Sequence, residues 1–222
     1  MTREDDQTPR RKAMRLIARP LGRLIVFFAH IITAVRPVWH GTGPTRVQRI
    51  YIANHTSNGD FVLLWAALPP FLRAAVRPVA AADYWLKSPL RRFIGEDVFR
   101  AVLIDRTHEN RSEDPIEVMD RALEAGTSLI LFPEGTRNDT RADLLPFKPG
   151  LFHLAERHPK VEIVPVWIAN LNRAMPKGEI IPIPVICSVT FGAPIRLEEG
   201  DDKQTFLDRA RGAVLMLKDS PA

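Results

Sequence analysis

A chain of 222 residues, 45% hydrophobic and 26% charged, can bury a full core, which excludes an intrinsically disordered chain and suits one domain. A formal net charge of +5 and a pI of about 9.7 favour an anionic partner: nucleic acid, an anionic membrane or a phosphorylated substrate. One cysteine excludes an internal disulfide and fits a reducing compartment, and six scattered histidines without an HxxxH pair offer no zinc spacing.

Residues 1–9 are polar and of mixed charge, as in a frayed end. Six basic residues and no acid follow between Arg10 and Arg23, ahead of the apolar run Leu24–Val35 (LIVFFAHIITAV). Twelve residues fall short of the ~20 needed to cross a hydrocarbon core, so a spanning helix is not expected. Ile17, Leu21, Leu24, Ile25, Phe28, Ile31 (or Ile32) and Val35 recur at three- and four-residue steps, while Arg15, Arg19 and Arg23 share another face. Pro20 is expected to kink this stretch or divide it into two helices. Basic on one side and apolar on the other is the pattern of a helix lying in a membrane interface. A core helix would show a similar stripe. A signal peptide would need a small-residue cleavage site, which RPVWHG does not supply, and Arg10-Arg11 lacks a twin-arginine context.

From residue 46 strand-like and helix-like units alternate. Arg46–Ala53, Val76–Ala82, Ala101–Ile104, Ser128–Phe132, Ile163–Ala169 and Ile186–Phe191 read as strands. Asp60–Leu68, a patch near Leu90, Pro115–Ala125, Gly150–Arg157 and Lys203–Lys218 read as helices. The predicted class is α/β, with a mostly parallel central sheet flanked by helices and an N-terminal amphipathic helical segment over residues 1–40. Cys187, in the apolar run Val185–Val189, reads as a buried strand thiol rather than a nucleophile.

In an open α/β sheet, ligands sit beyond the carboxyl ends of the strands. Three polar turns fall there: NHTSNGD after Ala53, IDRTHENR after the strand ending at Ile104, and PEGTRNDTR after Phe132. In the first, His55 and Asp60 stand five apart with Gly59 between them, so the carboxylate can accept from one ring nitrogen and leave the other as a base. No GxSxG elbow supplies a nucleophile, so such a pair would deprotonate a hydroxyl carried by a substrate. The competing explanation is turn chemistry: Asn58-Gly59 makes the turn and Asp60 caps a helix. The third turn places Glu134, Gly135 and Arg137 directly after a buried strand, with Arg141 and Lys148 following. Arginine suits bidentate contact with phosphate, and glycine allows close backbone approach. Asp105 and Arg106 come from the middle turn.

Taken in order and spacing, NHTSNGD, VLIDR (Val102–Arg106), LFPEGTR (Leu131–Arg137) and IVPVWI (Ile163–Ile168) resemble the blocks of the glycerolipid acyltransferases. The match is to the 1-acylglycerol-3-phosphate acyltransferase (lysophosphatidic acid acyltransferase) group and covers roughly residues 35–200. The resemblance implies that His55 is a general base and Asp60 its orienting partner. It assigns Arg106, Glu134, Gly135, Thr136 and Arg137 to the acceptor-binding surface, with Lys148 near the phosphate and Pro165 supporting the site. It implies an acyl donor held as a thioester on coenzyme A or acyl carrier protein, a lysophospholipid acceptor, and no metal or other cofactor. Also implied are membrane association as a peripheral or monotopic protein on the cytoplasmic face, and an acyltransferase domain over residues 41–222. Asp97–Arg100 departs from the glycine-containing lead that many members carry into the second block. Tyr84, Trp85 and Phe93 are candidates for an acyl channel or for core packing. Same-fold alternatives are transfer to another acceptor, such as a lyso-ornithine lipid or lysophosphatidylglycerol, and a non-catalytic membrane-binding protein. Nucleic acid is not expected as a partner, since no recognised nucleic-acid motif accompanies the basic pI. The sequence carries no signal for oligomeric state.

Overall fold

The computed structural model describes residues 9–105, 113–169 and 187–220, and the side chains of the first helix from Leu16 onward. Seven strands form one sheet in the order β1-β7-β6-β2-β5-β3-β4: β1 Arg36–Trp39, β2 Arg49–Ala53, β3 Val76–Ala81, β4 Val102–Ile104, β5 Ser128–Leu131, β6 Glu162–Ala169 and β7 Ser188–Phe191. Every neighbouring pair is parallel except β6–β7, so β1 and β7 run against the other five. The predicted mostly parallel α/β sheet is observed, with a reversed edge.

Alternate residues of the central strand feed two cores. Ile50 and Ile52 pack with Leu129, Leu131 and helices α6 (Pro115–Glu124), α7 (Gly150–Arg157) and α8 (Lys203–Leu215) on one face. Tyr51 and Ala53 face the other way, against Ile130, Val164, Phe191 and helices α2 (Asp60–Ala67) and α3 (Pro70–Arg73). Burial on both faces is why these strands read as continuous apolar runs. Inside the sheet, Arg49 Nε donates to Glu162 Oε2 at 3.0 Å across the β2–β6 pair, and its Nη1 donates to Gly43 O at 2.8 Å, so the buried charge is matched on both sides.

The N-terminal helix α1 spans Pro9–Thr33 without interruption and contains Pro20, so the expected division into two helices does not occur. Pro20 lies on the exposed side, and the carbonyl it leaves unbonded belongs to Leu16, itself exposed. The apolar stripe also divides differently from expectation. Small residues face inward: Ala18 is buried, and a Cβ on Gly22 would touch Val98 at 3.4 Å and the Trp65 ring at 3.6 Å. Ile17, Leu24, Phe28 and Ile31 stay exposed. As folded, Leu16–Thr33 is long and apolar enough by length and composition alone to cross a membrane, so the twelve-residue run understates the apolar helix.

Strand β1 is absent from the sequence-based assignment and lies within the segment 1–40. The backbone of Cys187 ties it to α1, accepting from Arg36 N at 3.1 Å and donating to Thr33 O at 2.8 Å. Between β3 and β4 the chain forms two short helices, α4 (Ala82–Trp85) and α5 (Pro89–Phe93), and a π-helical turn, Ile94–Val98.

Candidate active site

Strand β2 ends at Ala53, and Asn54 locks its end to β6: the side-chain amide donates to Ile168 O at 3.0 Å, and its oxygen accepts from Ile168 N at 2.7 Å. The turn that follows brings Asp60, the first residue of α2, back beneath His55. Asp60 is fully buried, and its Oδ2 accepts from Thr56 N at 2.6 Å and Ser57 N at 2.8 Å. The same oxygen lies 2.8 Å from His55 Nδ1. Two backbone amides already make this oxygen an acceptor, so Nδ1 carries the proton and Nε2 keeps its lone pair. Turn chemistry and the histidine–carboxylate pair are therefore one structure: the carboxylate that shapes the turn also orients the ring. The imidazole stacks on Phe132, with centroids 4.3 Å apart and 22° between planes, and the His55 side chain keeps 21% of its surface exposed.

The turn after β5 clamps the first one. Glu134 is 1% exposed; Oε1 accepts from His55 N at 2.7 Å and Oε2 from Leu145 N at 2.8 Å. Burial pushes the Glu134 carboxyl above its usual range, opposed by these two amide donors. Asn138 N donates to His55 O at 2.7 Å, so two residues of this turn grip the His55 backbone. Gly135 sits at φ +70°, and a Cβ there would approach Lys148 Cγ to 3.2 Å. The stem of Lys148 thus lies across the glycine, held by Lys148 N donating to Pro133 O at 2.7 Å.

The structure brings together His55, Asp60, Glu134, Gly135 and Lys148, with Thr136 and Arg137 on the same turn. Thr136, Arg137, Arg141 and Lys148 are exposed, and these three cations form no ion pair among the described residues. Glu134 faces inward with both oxygens committed, which is a scaffold contact rather than an open acceptor contact. Arg106 lies outside the described residues. Pro165 sits in β6 beside Ile52 of β2. Trp85 and Tyr84 lie in an aromatic cluster with Phe61 and Phe99. No cluster of potential metal ligands occurs among the described residues.

Some contributors carry no mark in the sequence. Arg211, on α8, donates to Leu144 O at 2.5 Å and Leu145 O at 3.3 Å, supporting the segment that Glu134 grips. Phe132 stands inside the FPEGTR block, so that motif already contained the ring on which His55 stacks.

The chain belongs to the acyltransferase family, whose model matches residues 39–169. It is 31% identical over 183 residues to a 1-acyl-sn-glycerol-3-phosphate acyltransferase of Limnanthes alba, covering 81% of this chain and 60% of that protein. A protein of the same description from Escherichia coli (strain K12) is 35% identical over 165 residues, covering 68% of this chain and 60% of the relative. The chain spans between about half and three fifths of the length of such relatives. Among solved structures, the 1-acyl-sn-glycerophosphate (LPA) acyltransferase PlsC from Thermotoga maritima superposes with a TM-score of 0.66 at 21% identity, covering 97% of this chain and 86% of that one. That likeness establishes the shared fold.

Proposed function

We propose that this protein transfers a fatty acyl group from a thioester, on coenzyme A or acyl carrier protein, to the free hydroxyl of 1-acylglycerol-3-phosphate, giving phosphatidic acid. The observation that carries this reading is the His55 Nδ1–Asp60 Oδ2 contact at 2.8 Å, which leaves Nε2 as a base with no serine of its own to activate. His55 Nε2 takes the acceptor's hydroxyl proton as its oxygen attacks the thioester carbonyl. The tetrahedral adduct collapses, the C–S bond breaks, and the thiolate recovers the proton from His55. A positioned base of this kind is worth ~10²–10⁴-fold in rate. Asp60 orients the ring and stabilises the imidazolium, Glu134 holds the His55 backbone, and Arg137 and Lys148 take the acceptor's phosphate, with Arg106 assigned there by the family resemblance. No metal or cofactor enters the scheme.

The names of the relatives support lysophosphatidate as the acceptor. The apolar outer side of α1 supports attachment to a membrane, which we place at the cytoplasmic face, with residues 1–40 as the attaching segment and 41–222 as the acyltransferase domain. The test is an assay of purified protein with acyl-CoA and acyl carrier protein thioesters against lysophosphatidate, lysophosphatidylglycerol and lyso-ornithine lipid, with His55→Ala as control. Preference for lysophosphatidate and loss of transfer in the variant are expected. A preference for another lysolipid overturns the acceptor; near-normal turnover by His55→Ala overturns the mechanism.

A further inference from the structure

A second apolar and basic surface, separate from α1, lies on the rim that carries His55. Helices α4 and α5 follow directly from the carboxyl end of β3. Their outer side presents Tyr84, Leu86 and Leu90, the last 66% exposed. The stretch from Tyr84 to Phe93 holds three cations, Lys87, Arg91 and Arg92, and no acid; Asp83 precedes it and Glu96 and Asp97 follow it. All three cations are exposed and form no ion pair among the described residues. The Arg91 guanidinium lies over the Tyr84 ring, 4.6 Å from its centroid, a cation–π contact at an exposed site that holds the charge beside the apolar tip.

Packing ties this knob to both α1 and the catalytic turn. Helices α1 and α5 both pack on the π-helical turn Ile94–Val98, so the two elements share one support. Within that turn, a Cβ on Gly95 would come to 3.0 Å from the Trp85 ring. Trp85 in turn meets the edge of Phe61, the residue after Asp60, with centroids 5.7 Å apart. Contacts therefore run from the surface of α4–α5 to the His55–Asp60 turn through two aromatic side chains.

We propose that α4–α5 is a second membrane-contact element, which inserts Leu86 and Leu90 among the acyl chains and sets Lys87, Arg91 and Arg92 against anionic headgroups. An apolar tip ringed by cations matches an anionic lipid surface in both chemistry and charge. With α1, it gives the protein two points of attachment and so fixes the height of His55 over the bilayer. A single helix leaves the domain free to roll. The inference extends the membrane-facing part of the proposed function, and its readout is independent of acyl transfer.

The test is partitioning of the full chain onto vesicles of phosphatidylglycerol and phosphatidylcholine, compared with phosphatidylcholine alone. Leu86→Ser with Leu90→Ser, and separately Lys87→Gln with Arg91→Gln and Arg92→Gln, change exposed side chains and leave the cores intact. Each cation near an anionic surface contributes about five-fold in binding, so the triple variant loses at least about ten-fold on anionic vesicles and becomes less salt-sensitive. The leucine variant loses a similar factor on both vesicle types. Turnover of short-chain, water-soluble donor and acceptor stays at the parent level, whereas turnover of vesicle-borne lysolipid falls. As a check that does not depend on loss, Leu90→Trp is read by quenching of its added fluorescence with brominated acyl chains. Partitioning within two-fold of the parent for both combined variants, no quenching of Leu90→Trp, or a change in lipid-free self-association in place of vesicle binding overturns the proposal. If no acyl transfer is found at all, the function fails while the vesicle measurement still decides this surface.

Discussion

Glu134 and His55, 79 residues apart in sequence, are joined by a 2.7 Å hydrogen bond from the His55 backbone N–H to Glu134 Oε1. The other oxygen, Oε2, takes Leu145 N at 2.8 Å, so one carboxylate bridges the turn after β2 and the loop that Arg211 supports. A glutamate used in this way sets the position of His55 through the backbone. Its chemistry matters because it accepts twice and donates nothing.

Glu134→Gln tests that requirement. The amide oxygen replaces one acceptor, but the NH₂ group faces a backbone N–H, leaving a buried donor unanswered at a cost of about 1–3 kcal/mol. Burial raises the native carboxyl above its unfolded value, so the native state binds the extra proton in the window just above 4.5. Wild-type stability from this group therefore falls as pH rises through that window and is level beyond it. Urea unfolding between pH 4 and 7 should show the wild type losing stability relative to Glu134→Gln as pH rises through that window, with acyl transfer reduced in the variant. An identical pH slope in both proteins would remove Glu134 as its source.

His55→Ala and Asp60→Ala should separate catalysis from folding. The His55 side chain is partly exposed, and its loss forfeits an aromatic contact with Phe132 worth about 0.5–1.5 kcal/mol. Thermal melting should change little while transfer falls by at least ~10². Asp60 is fully buried and holds two backbone amides as well as the ring. Removing it leaves those donors without an acceptor, at about 2 kcal/mol or more. Activity and melting temperature should both drop. Equal loss of stability in the two variants would contradict the division of roles.

Much of this arrangement was readable from residue order, for identifiable reasons. Strands buried on both faces are short apolar runs, and β2, β3, β5 and β6 were located by that signal. RPVW was not, because a four-residue edge strand with a proline shows no alternation. The reversed direction of β7 follows from its pairing with β6, a long-range fact that no local pattern carries. In α1 the spacing revealed an apolar stripe, but the fit of Ala18 and Gly22 against the domain decided which side turned inward. His55 and Asp60 stood out because a histidine and a carboxylate bracketed one glycine turn. Glu134 was legible as a residue of the site and not as an inward one, since a glutamate in a polar turn looks the same whichever way it points.

Gly135→Ala should disturb the anion side of the site more than the base. A non-glycine residue at φ +70° costs about 1–2 kcal/mol in the left-handed region. The new methyl also meets Lys148 Cγ at 3.2 Å, so the lysine stem must shift by a few tenths of an ångström. KM for the phosphate-bearing acceptor should rise several-fold with a smaller change in kcat. Lys148→Gln should raise KM at unchanged melting temperature, because the exposed ammonium makes no ion pair among the described residues. A Lys148→Gln enzyme with parental KM would take Lys148 out of the acceptor site.

Cys187 provides a probe of the whole fold. It is fully buried, its backbone joins α1 to β1, and burial pushes its thiol from 9.0 up to about 11. Thiolate is the reactive form, so at pH 8 native protein should alkylate with iodoacetamide only through unfolding, and the labelling rate should follow denaturant as the unfolded fraction does. The linkage runs in the alkaline direction. The unfolded thiol ionises near 9.0 while the native one stays protonated, so the unfolded state is favoured as pH rises from there towards 11. Cys187→Val removes the titrating group at similar volume and should flatten that part of the alkaline stability profile. Rapid alkylation of the native protein at pH 8, unaffected by stabilising ligands, would place the thiol at the surface and contradict its burial where α1 meets β1.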